Sequence, residues 1–322
     1  MTRLRSMLIA LAGLTLALTA SAAAQDYPTK PVRIMVPFPP GGFNDIVARI
    51  LATQLSERLG KQFIVENKTG AGGAVAGELV ANAPKDGYTL LIVSIAITIN
   101  PWLRKLPYDS VKGFTPISIL ATAPIVAMVN ADLPTKSMKE FVALAKQKPG
   151  DLKYASSGVG TFMHLGAELF KLRAGVDLLH VPFRGAGPAM IDVMGGHTQA
   201  SFASVPSVIG HVRSGKLRAV GVGATKRSFA LPDVPTMDEG GVSGYQVANW
   251  IGIMAPAGTP SAVVALLHKE ISAIQDTPEF RKRFAAEGVD VMKMSVAEFG
   301  AYIASEHAKW GKVIKDAGIK AE

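Results

Sequence analysis

The sequence predicts an α/β protein of two domains, built on a mainly parallel sheet. Short apolar runs alternate with amphipathic stretches over nearly all of the 322 residues, as strands and helices do in such proteins. Hydrophobic residues make up 48% of the chain, so it can bury a large core. The length exceeds what one core usually supports, and two domains are therefore expected.

Residues 1–24 have the three parts of a secretory signal peptide. Two arginines precede a short apolar run, and a small-x-small site ends at Ala24, just before Gln25. The run is shorter than the roughly 20 apolar residues that a membrane span needs, although an uncleaved anchor is the alternative. We expect cleavage near Ala24 and Gln25, which leaves a mature chain outside the cytoplasmic membrane and not inserted in it.

The charge and the lack of cysteine exclude several classes of function. The formal net charge is +9, but Lys and Arg are spread thinly, with no run denser than residues 281–283, so nucleic acid is not an expected partner. The positive balance instead favours weak attraction for small anions. With no cysteine, disulfides, thiolate metal sites and cysteine nucleophiles are excluded. The six histidines lack metal-ligand spacing, so we expect neither a metal nor a cofactor.

The first hundred residues are expected to alternate between strands and helices. Their apolar runs have the length of buried strands, and the segments between them carry apolar residues at helical spacing. A turn at residues 84–87 separates the last helix from the next strand. The strands are predicted at residues 32–38, 63–66 and 89–93, and the helices at residues 46–59 and from the glycines at 70–73 through 83.

The same alternation resumes in the second part of the chain. Residues 137–140 and 295–298 have the Ser-x-x-Glu pattern of capping boxes that open helices. A loop rich in Pro and Gly at residues 231–244 marks a break, and a strand at 247–254 and three helices follow it. The strands before the break are predicted at 125–129, 152–155, 179–181, 199–202 and 217–222, and further helices at 161–173 and 186–194.

Two glycine-rich loops follow predicted strands in matching positions. We call residues 37–42 the first glycine loop and residues 156–161 the second glycine loop; each leads into a predicted helix. A helix N-terminus carries unpaired N–H groups and about half a positive charge, and glycine lets an anion approach the backbone. One such loop is weak evidence. A pair, one in each domain and after strand ends, is expected to hold a carboxylate from both sides of a cleft.

These segments resemble a known family. The stretch Val-Pro-Phe-Pro-Pro-Gly-Gly-Phe-Asn-Asp-Ile-Val-Ala-Arg at residues 36–49 looks like the first signature of the Bug-type receptors. These receptors are the periplasmic solute-binding components of tripartite tricarboxylate transporters. The resemblance covers the whole mature chain in order, with further similar segments at residues 66–73, 84–91, 156–161, 164–165 and 181–185.

The resemblance implies a periplasmic receptor with two α/β lobes and the ligand cleft between them. Residues 26–124 and 247–322 would form lobe 1, and residues 125–246 lobe 2. The lobes would close on a small organic carboxylate, either a di- or tricarboxylate or an aromatic acid. The receptor would act as a monomer without catalysis and deliver the ligand to membrane transporter subunits. A sensor protein is the alternative partner.

The candidate ligand-binding residues fall into two groups. Family members hold ligand carboxylates by backbone groups and bridging waters, which by match implies Gly41, Gly42, Asn44, Asp45, Ser157, Gly158, Gly160 and Thr161. The others lie beside these loops or after other strands: Phe38, Phe43, Ser94, His164, Arg184, Gly185 and Ser204.

Several candidates have a purely structural alternative. Asp45 would serve as an N-cap and pair with Arg49 on its helix, and His164 would be a buried, hydrogen-bonded histidine. Arg184 would pair with a ligand carboxylate or form a salt bridge between the lobes. Phe43 replaces the small residue of many family members. It would line the pocket and favour an aromatic acid, or point into its lobe.

A secreted serine hydrolase is the alternative from another class. Residues 241–245 nearly form a nucleophile elbow around Ser243, although Tyr245 replaces the last glycine. Ser157 is the other candidate nucleophile. Either serine would need a histidine and an acid within hydrogen-bond reach. Resemblances to a P-loop at 210–217 and to a dinucleotide fingerprint at 158–163 are incomplete.

Overall fold

The predicted alternation of strands and helices is present in the computed structural model, which describes residues 27–286, 288–316 and 318–319. The predicted signal peptide and its cleavage site at Ala24 and Gln25 lie outside these residues. Where an apolar run is bounded by turns, the chain forms a strand. The strands of the described part are β1 (Val32–Val36), β2 (Phe63–Asn67), β3 (Thr89–Ser94), β4 (Phe114–Asn130), β5 (Lys153–Ser156), β6 (Leu179–Pro182), β7 (Ala200–Ser204), β8 (Leu217–Val222), β9 (Ala248–Pro256) and β10 (Asp290–Val291).

The amphipathic segments between the strands form helices. A short 3₁₀ turn at Ala71–Gly73 precedes the second of them. The helices are α1 (Phe43–Leu59), α2 (Ala74–Ala81), α3 (Ala96–Leu103), α4 (Met138–Gln147), α5 (Phe162–Ala174), α6 (Ala186–Met194), α7 (Val205–Arg213), α8 (Ser261–Asp276), α9 (Pro278–Ala286) and α10 (Val296–Asp316).

The strands form two sheets that share β4. In the first sheet the order is β2–β1–β3–β9–β4, with β1, β2 and β3 parallel and β9 antiparallel to its neighbours. In the second sheet the order is β4–β7–β5–β6, with β5 parallel to β6 and β7, and β8 also paired with β4. The parallel strands of each sheet direct their carboxyl ends toward loops that lead into helices.

Strand β4 is longer than the sequence predicts, because it passes from one sheet to the other. Its first part, from Phe114 to Pro124, pairs with β9, and its last part pairs with β7 from Ile125 to Val129. Proline cannot donate to a ladder hydrogen bond and is usually excluded from central strands. Here Pro116 lies at an irregularity of the register, and Pro124 lies where the pairing partner changes.

Gln275 of α8 stabilises the irregular part of β4. The pairing of β4 with β9 shifts register between Ile119 and Ala121. Gln275 is buried, and its Nε2 donates to the carbonyl oxygens of Ile119 and Leu120, each at 3.0 Å, and of Met292 at 2.8 Å. One side-chain amide therefore joins α8 to β4 and to the residue after β10.

Stacked rings support the second glycine loop from behind. His164 stacks on His180 with 4.2 Å between ring centroids, and His180 stacks on Tyr154 at 4.8 Å. The Gly160 N–H donates to Nδ1 of His164 at 3.1 Å, which requires that nitrogen to be unprotonated. Burial is the main cause that lowers the pKa of His164 to about 4 and that of His180 to about 3. Both rings are therefore neutral at pH 7.

The role of Gln275 predicts the effect of replacing it. Gln275→Leu keeps much of the volume but removes a donor to three carbonyl oxygens. The Ile119 carbonyl still accepts from Oγ of Ser118 and the Leu120 carbonyl from the Met292 N–H. We expect the free energy of unfolding to fall by about 1–3 kcal/mol, measured by urea denaturation. The matched change Gln147→Leu, at an exposed position at the end of α4, should leave it nearly unchanged. Equal stabilities of the two variants would contradict this role.

The neutral histidines predict a pH dependence of stability. Because the pKa of folded His164 lies below 6.5, the unfolded chain binds more protons between about pH 4 and 6.5. The contribution of His164 to stability is therefore fully present above that window and falls as the pH decreases through it, by about 2 kcal/mol at pH 5. In His164→Asn, an amide oxygen can accept the Gly160 N–H without titrating.

Urea denaturation at pH 7.5 and 5.0 tests this prediction. The loss of stability on acidification should be smaller in His164→Asn than in the wild type, and unchanged in His197→Asn, whose histidine is exposed. If acidification destabilised all three proteins equally, His164 would not carry the effect.

Candidate functional site

A cavity of about 280 Å³, which we call the inner cavity, lies where parallel strands of both sheets end. This volume is at the lower limit of small-molecule pockets. Phe38 follows β1, Ser94 ends β3, Ser157 follows β5 and Ser204 ends β7. Asn249 of β9 lines the cavity as well. The two sheets thus contribute to one site, in the position that ligands occupy in open α/β sheets.

Helix N-termini surround the inner cavity. The cavity is lined by Asn44 in the first turn of α1, Ala96 of α3, Phe162 of α5, Ala186 of α6, and Ser207 of α7. The first N–H groups of a helix have no intrahelical acceptor, and the helix dipole adds partial positive charge there. Among the described residues that line this cavity, no side chain is Lys, Arg, Asp or Glu, and His211 is the one titratable group. An anion would therefore be held by backbone groups.

Asp45 holds the first glycine loop from behind. It is buried and accepts hydrogen bonds from the Gly41 N–H at 3.0 Å, from Nε of Arg49 at 2.9 Å and from Nδ2 of Asn67 at 2.9 Å. Burial would raise the pKa of Asp45, but these hydrogen bonds lower it below its ordinary value. The carboxylate is thus ionised and satisfied within the protein, and it fixes the start of α1.

The glycine N–H groups of the second glycine loop also form hydrogen bonds within the protein. The Gly158 N–H donates to Oγ of Ser156 at 3.1 Å, and the Gly160 N–H donates to Nδ1 of His164. Thr161 caps α5: its hydroxyl donates to the Gly158 carbonyl at 2.7 Å and accepts the His164 N–H at 3.4 Å. The N–H groups left for a ligand at the start of α5 are therefore those of Phe162 and Met163, not those of Gly158 and Gly160.

The predicted site residues lie in three places: along the inner cavity, along a second cavity, and behind the glycine loops. A second, outer cavity of about 800 Å³ shares Phe38 and Ser157 with the inner cavity and is lined by Gly158, Arg184 and Gly185. Asp45, Gly160 and His164 line neither cavity, because they hold the loops from behind. The inner cavity is lined by Phe38, Gly41, Gly42, Phe43, Asn44, Ser94, Ser157, Thr161 and Ser204. Ligand contact by each of these residues stays a prediction.

The apolar wall of the inner cavity does not depend on Phe43 alone. Phe43 lines the cavity, but only 3% of its surface is exposed and it packs in the core between β1 and α1. The ring therefore borders the cavity with a small part of its surface, and the rest of it points into its lobe. Phe38, Phe162 and Met190 add apolar surface at the same site.

Several lining residues were not predicted. Ser207 lies three residues after Ser204, and His211 lies four residues after Ser207. This spacing places all three on one face at the start of α7, and the polar pattern is visible in the sequence. Asn249 carries no such signal, because it reaches the site only through the pairing of β9 with β3 and β4.

Two asparagines that line the inner cavity have unpaired atoms. Nδ2 of Asn44 and Oδ1 of Asn249 are fully buried and have no hydrogen-bond partner in the described structure. These residues are only 5% and 3% exposed. An unpaired buried polar group costs about 1–3 kcal/mol, so a bound polar group that pairs with either atom would be stabilised by a similar amount.

Close contacts join the walls of the site. Nη2 of Arg104, after α3, donates to the Val159 carbonyl of the second glycine loop at 3.3 Å. A Cβ atom at Gly160 would lie 2.8 Å from Cδ1 of Leu103, and one at Gly185 would lie 3.1 Å from Cγ of Pro39. These glycines allow the loops of the second sheet to contact α3 and the first glycine loop.

The geometry of a serine hydrolase does not occur in the described part of the chain. Neither Ser157 nor Ser243 forms a hydrogen bond with a histidine there, although Oγ of the buried Ser156 lies 2.6 Å from Nε2 of His180. No described carboxylate bonds to the His180 ring, and its pKa of about 3 makes it a weak base.

Residues 27–286, 288–316 and 318–319 contain neither a candidate metal site nor a candidate membrane-spanning helix. No group of three or more His, Asp or Glu side chains there could hold a metal ion. None of the helices in this part combines the length and the apolar character that crossing a membrane demands.

Comparisons with known proteins show which family this chain is similar to. Residues 47–319 match the tripartite tricarboxylate transporter family receptor. Protein BugT of Bordetella pertussis is 35% identical over 326 residues, which cover 99% of either chain.

Two solved structures extend the comparison. The structure of R. palustris Rpa4515 with adipate is similar, with 33% identity, a TM-score of 0.90 and coverage of 92% of this chain and 100% of that one. MatC (Rpa3494) from Rhodopseudomonas palustris with bound malate has 31% identity, a TM-score of 0.83 and coverage of 89% and 100%.

These matches confirm the predicted α/β fold of two lobes and the resemblance noted in the sequence. The family match covers most of the chain and includes the second glycine loop; BugT is similar over almost its whole length. The chain therefore belongs to the tripartite tricarboxylate transporter receptor family, the Bug-type periplasmic solute-binding receptors.

Proposed function

We propose that this receptor captures a small organic carboxylate in the inner cavity and delivers it to the membrane subunits of a tripartite tricarboxylate transporter. The observation that carries the proposal is the ring of helix N-termini around a cavity without Lys or Arg among its described lining residues. Backbone N–H groups and helix dipoles are suited to a carboxylate. The similar proteins solved with adipate and malate support this class of ligand.

The cavity favours a mono- or dicarboxylate with an apolar body over a tricarboxylate. Three negative charges in a closed site without a cationic side chain would repel one another and lose their hydration. The walls include Phe38, Phe162 and Met163, whose apolar surface suits carbon atoms of a ligand. We therefore place aromatic acids and aliphatic diacids ahead of citrate-like ligands.

We further propose that the lobes consist of residues 26–124 with 247–322, and of residues 125–246. The change of pairing partner at Pro124 in β4 supports the first boundary. Near the second boundary, the Ile125 N–H donates to the Val247 carbonyl at 3.0 Å. Both crossings between the lobes therefore lie side by side, as a hinge requires.

Ligand binding would favour the closed arrangement of the lobes. The first turn of α1 belongs to lobe 1 and the first turn of α5 to lobe 2, so one carboxylate can bind N–H groups of both only when the lobes are together. A ligand shifts an equilibrium by its differential affinity for the two states. The closed receptor would then present a surface to the transporter that the open receptor lacks. A signal peptide supports the periplasm as the place where this occurs.

The unpaired amides provide a first test. Asn44→Leu removes a buried amide whose Nδ2 donor lacks a partner in the described structure, which is neutral or stabilising for the protein alone. The same change removes a hydrogen bond to the ligand, so we expect affinity for the bound carboxylate to fall about tenfold.

A thermal-shift screen of carboxylates on refolded, ligand-free protein would find ligands, and calorimetry would measure their affinities. Asn82→Leu, at an exposed asparagine after α2, is the control and should leave affinity unchanged. The proposed function is wrong if no carboxylate stabilises the protein while a sugar or a cation does.

Closure provides a second test. Gly160→Ala adds a Cβ atom 2.8 Å from Leu103 across the cleft, whereas Gly175→Ala meets nothing within 4 Å. Both glycines have a positive φ, +75° and +62°, so both variants should lose about 1–2 kcal/mol of stability through backbone strain. Only Gly160→Ala should weaken ligand binding, by about tenfold or more. Equal affinities in the two variants would show that these lobes do not meet at Gly160 in the bound state.

A further inference from the structure

One face of α7 forms a polar stripe along the inner cavity. Ser204, Ser207 and His211 all line the cavity, and the hydroxyls of the two serines lie 3.1 Å apart. The packing of the helix is carried by the adjacent face, where Val205, Val208 and Ile209 are buried in the core of the second sheet. The stripe is therefore not needed to attach α7 to the fold.

The stripe runs away from the carboxylate end of the site. Ser204 ends β7, the strand next to β5, and so lies beside Ser157 at the ends of the strands. His211 comes seven residues later, about 10 Å along the helix. Apolar residues line the cavity as well, among them Met163 and Met190. A ligand along the cavity would thus meet polar groups at both ends and apolar groups between.

His211 is suited to bind the far end of such a ligand. Within the described residues its ring nitrogens form no hydrogen bond, and it is the one titratable side chain that lines the inner cavity. An imidazole ring presents an N–H donor in either protonation state. No acidic side chain lines the cavity to compete for this donor.

We propose that His211 is the residue that selects ligands with a second polar group, by donating an N–H to the end of the ligand remote from the carboxylate held by the helix N-termini. The proposal rests on the proposed function and adds the basis of its specificity. The receptor then prefers diacids, or acids with a terminal hydroxyl or carbonyl, over monoacids of the same carbon skeleton. Ser204 and Ser207 contribute hydroxyl groups between the carboxylate end of the ligand and His211.

Matched pairs of acids test the proposal by calorimetry on ligand-free protein. The pairs are butyrate and succinate, hexanoate and adipate, and 4-methylbenzoate and terephthalate, in which the second acid has a carboxylate in place of the terminal methyl group. The wild type should bind the diacid at least about tenfold more tightly in one or more pairs. His211→Leu should weaken that diacid about tenfold and leave the monoacid within about twofold.

Two further variants separate hydrogen bonding from folding effects. His211→Gln keeps an N–H donor and should retain part of the preference for the diacid. His197→Leu makes the same change at an exposed histidine that lines neither cavity, and it should leave both affinities unchanged.

The outcomes distinguish this proposal from the proposed function. If His211→Leu weakens monoacid and diacid equally, or changes neither, His211 does not select the ligand, although the carboxylate receptor stands. The same conclusion follows if the wild type binds monoacids as tightly as diacids in every pair. If no carboxylate binds the wild type at all, the proposed function fails and the selection by His211 fails with it.

Discussion

The site depends on backbone N–H groups that are held, without an intrahelical partner, at the ends of parallel strands from two sheets. Their partial positive charge is fixed in direction by the helices, whereas a Lys or Arg side chain would have to be ordered on binding. The described lining of the inner cavity accordingly contains no Lys, Arg, Asp or Glu side chain. The length of α1 and α5 and their attachment to the cores keep these N–H groups in place.

Side chains behind the two glycine loops keep the helix starts in position. Asp45 ties Gly41 to Arg49 and Asn67, and His164 accepts the Gly160 N–H while it stacks on His180. The ionised aspartate and the neutral histidine are both products of their surroundings, since hydrogen bonds lower the pKa of one and burial lowers that of the other. In this structure Asp45 and His164 thus hold the backbone of the glycine loops, whereas their contact with a ligand stays a prediction.

Local patterns predicted most of the elements and both loops, because a strand, a glycine turn and a helix start lie within a dozen residues of one another. The prediction was incomplete where distant segments decide the outcome. Strand β4 was expected only at residues 125–129, since Pro116 and Pro124 argue against a central strand; in the structure they lie at a register irregularity and at the change of partner. The polar face of α7 was readable from spacing, but nothing local indicated that it lines a cavity.

The sequence by itself determined the class of fold, the two glycine loops and the resemblance to Bug-type receptors, because these depend on the order and spacing of neighbouring residues. Only the tertiary structure decided which groups line the cavity. Asn249 reaches it because β9 pairs between β3 and β4, and Gly158 and Gly160 turn their N–H groups to Ser156 and His164. Such choices follow from contacts between segments far apart in the chain, which spacing along the sequence does not encode.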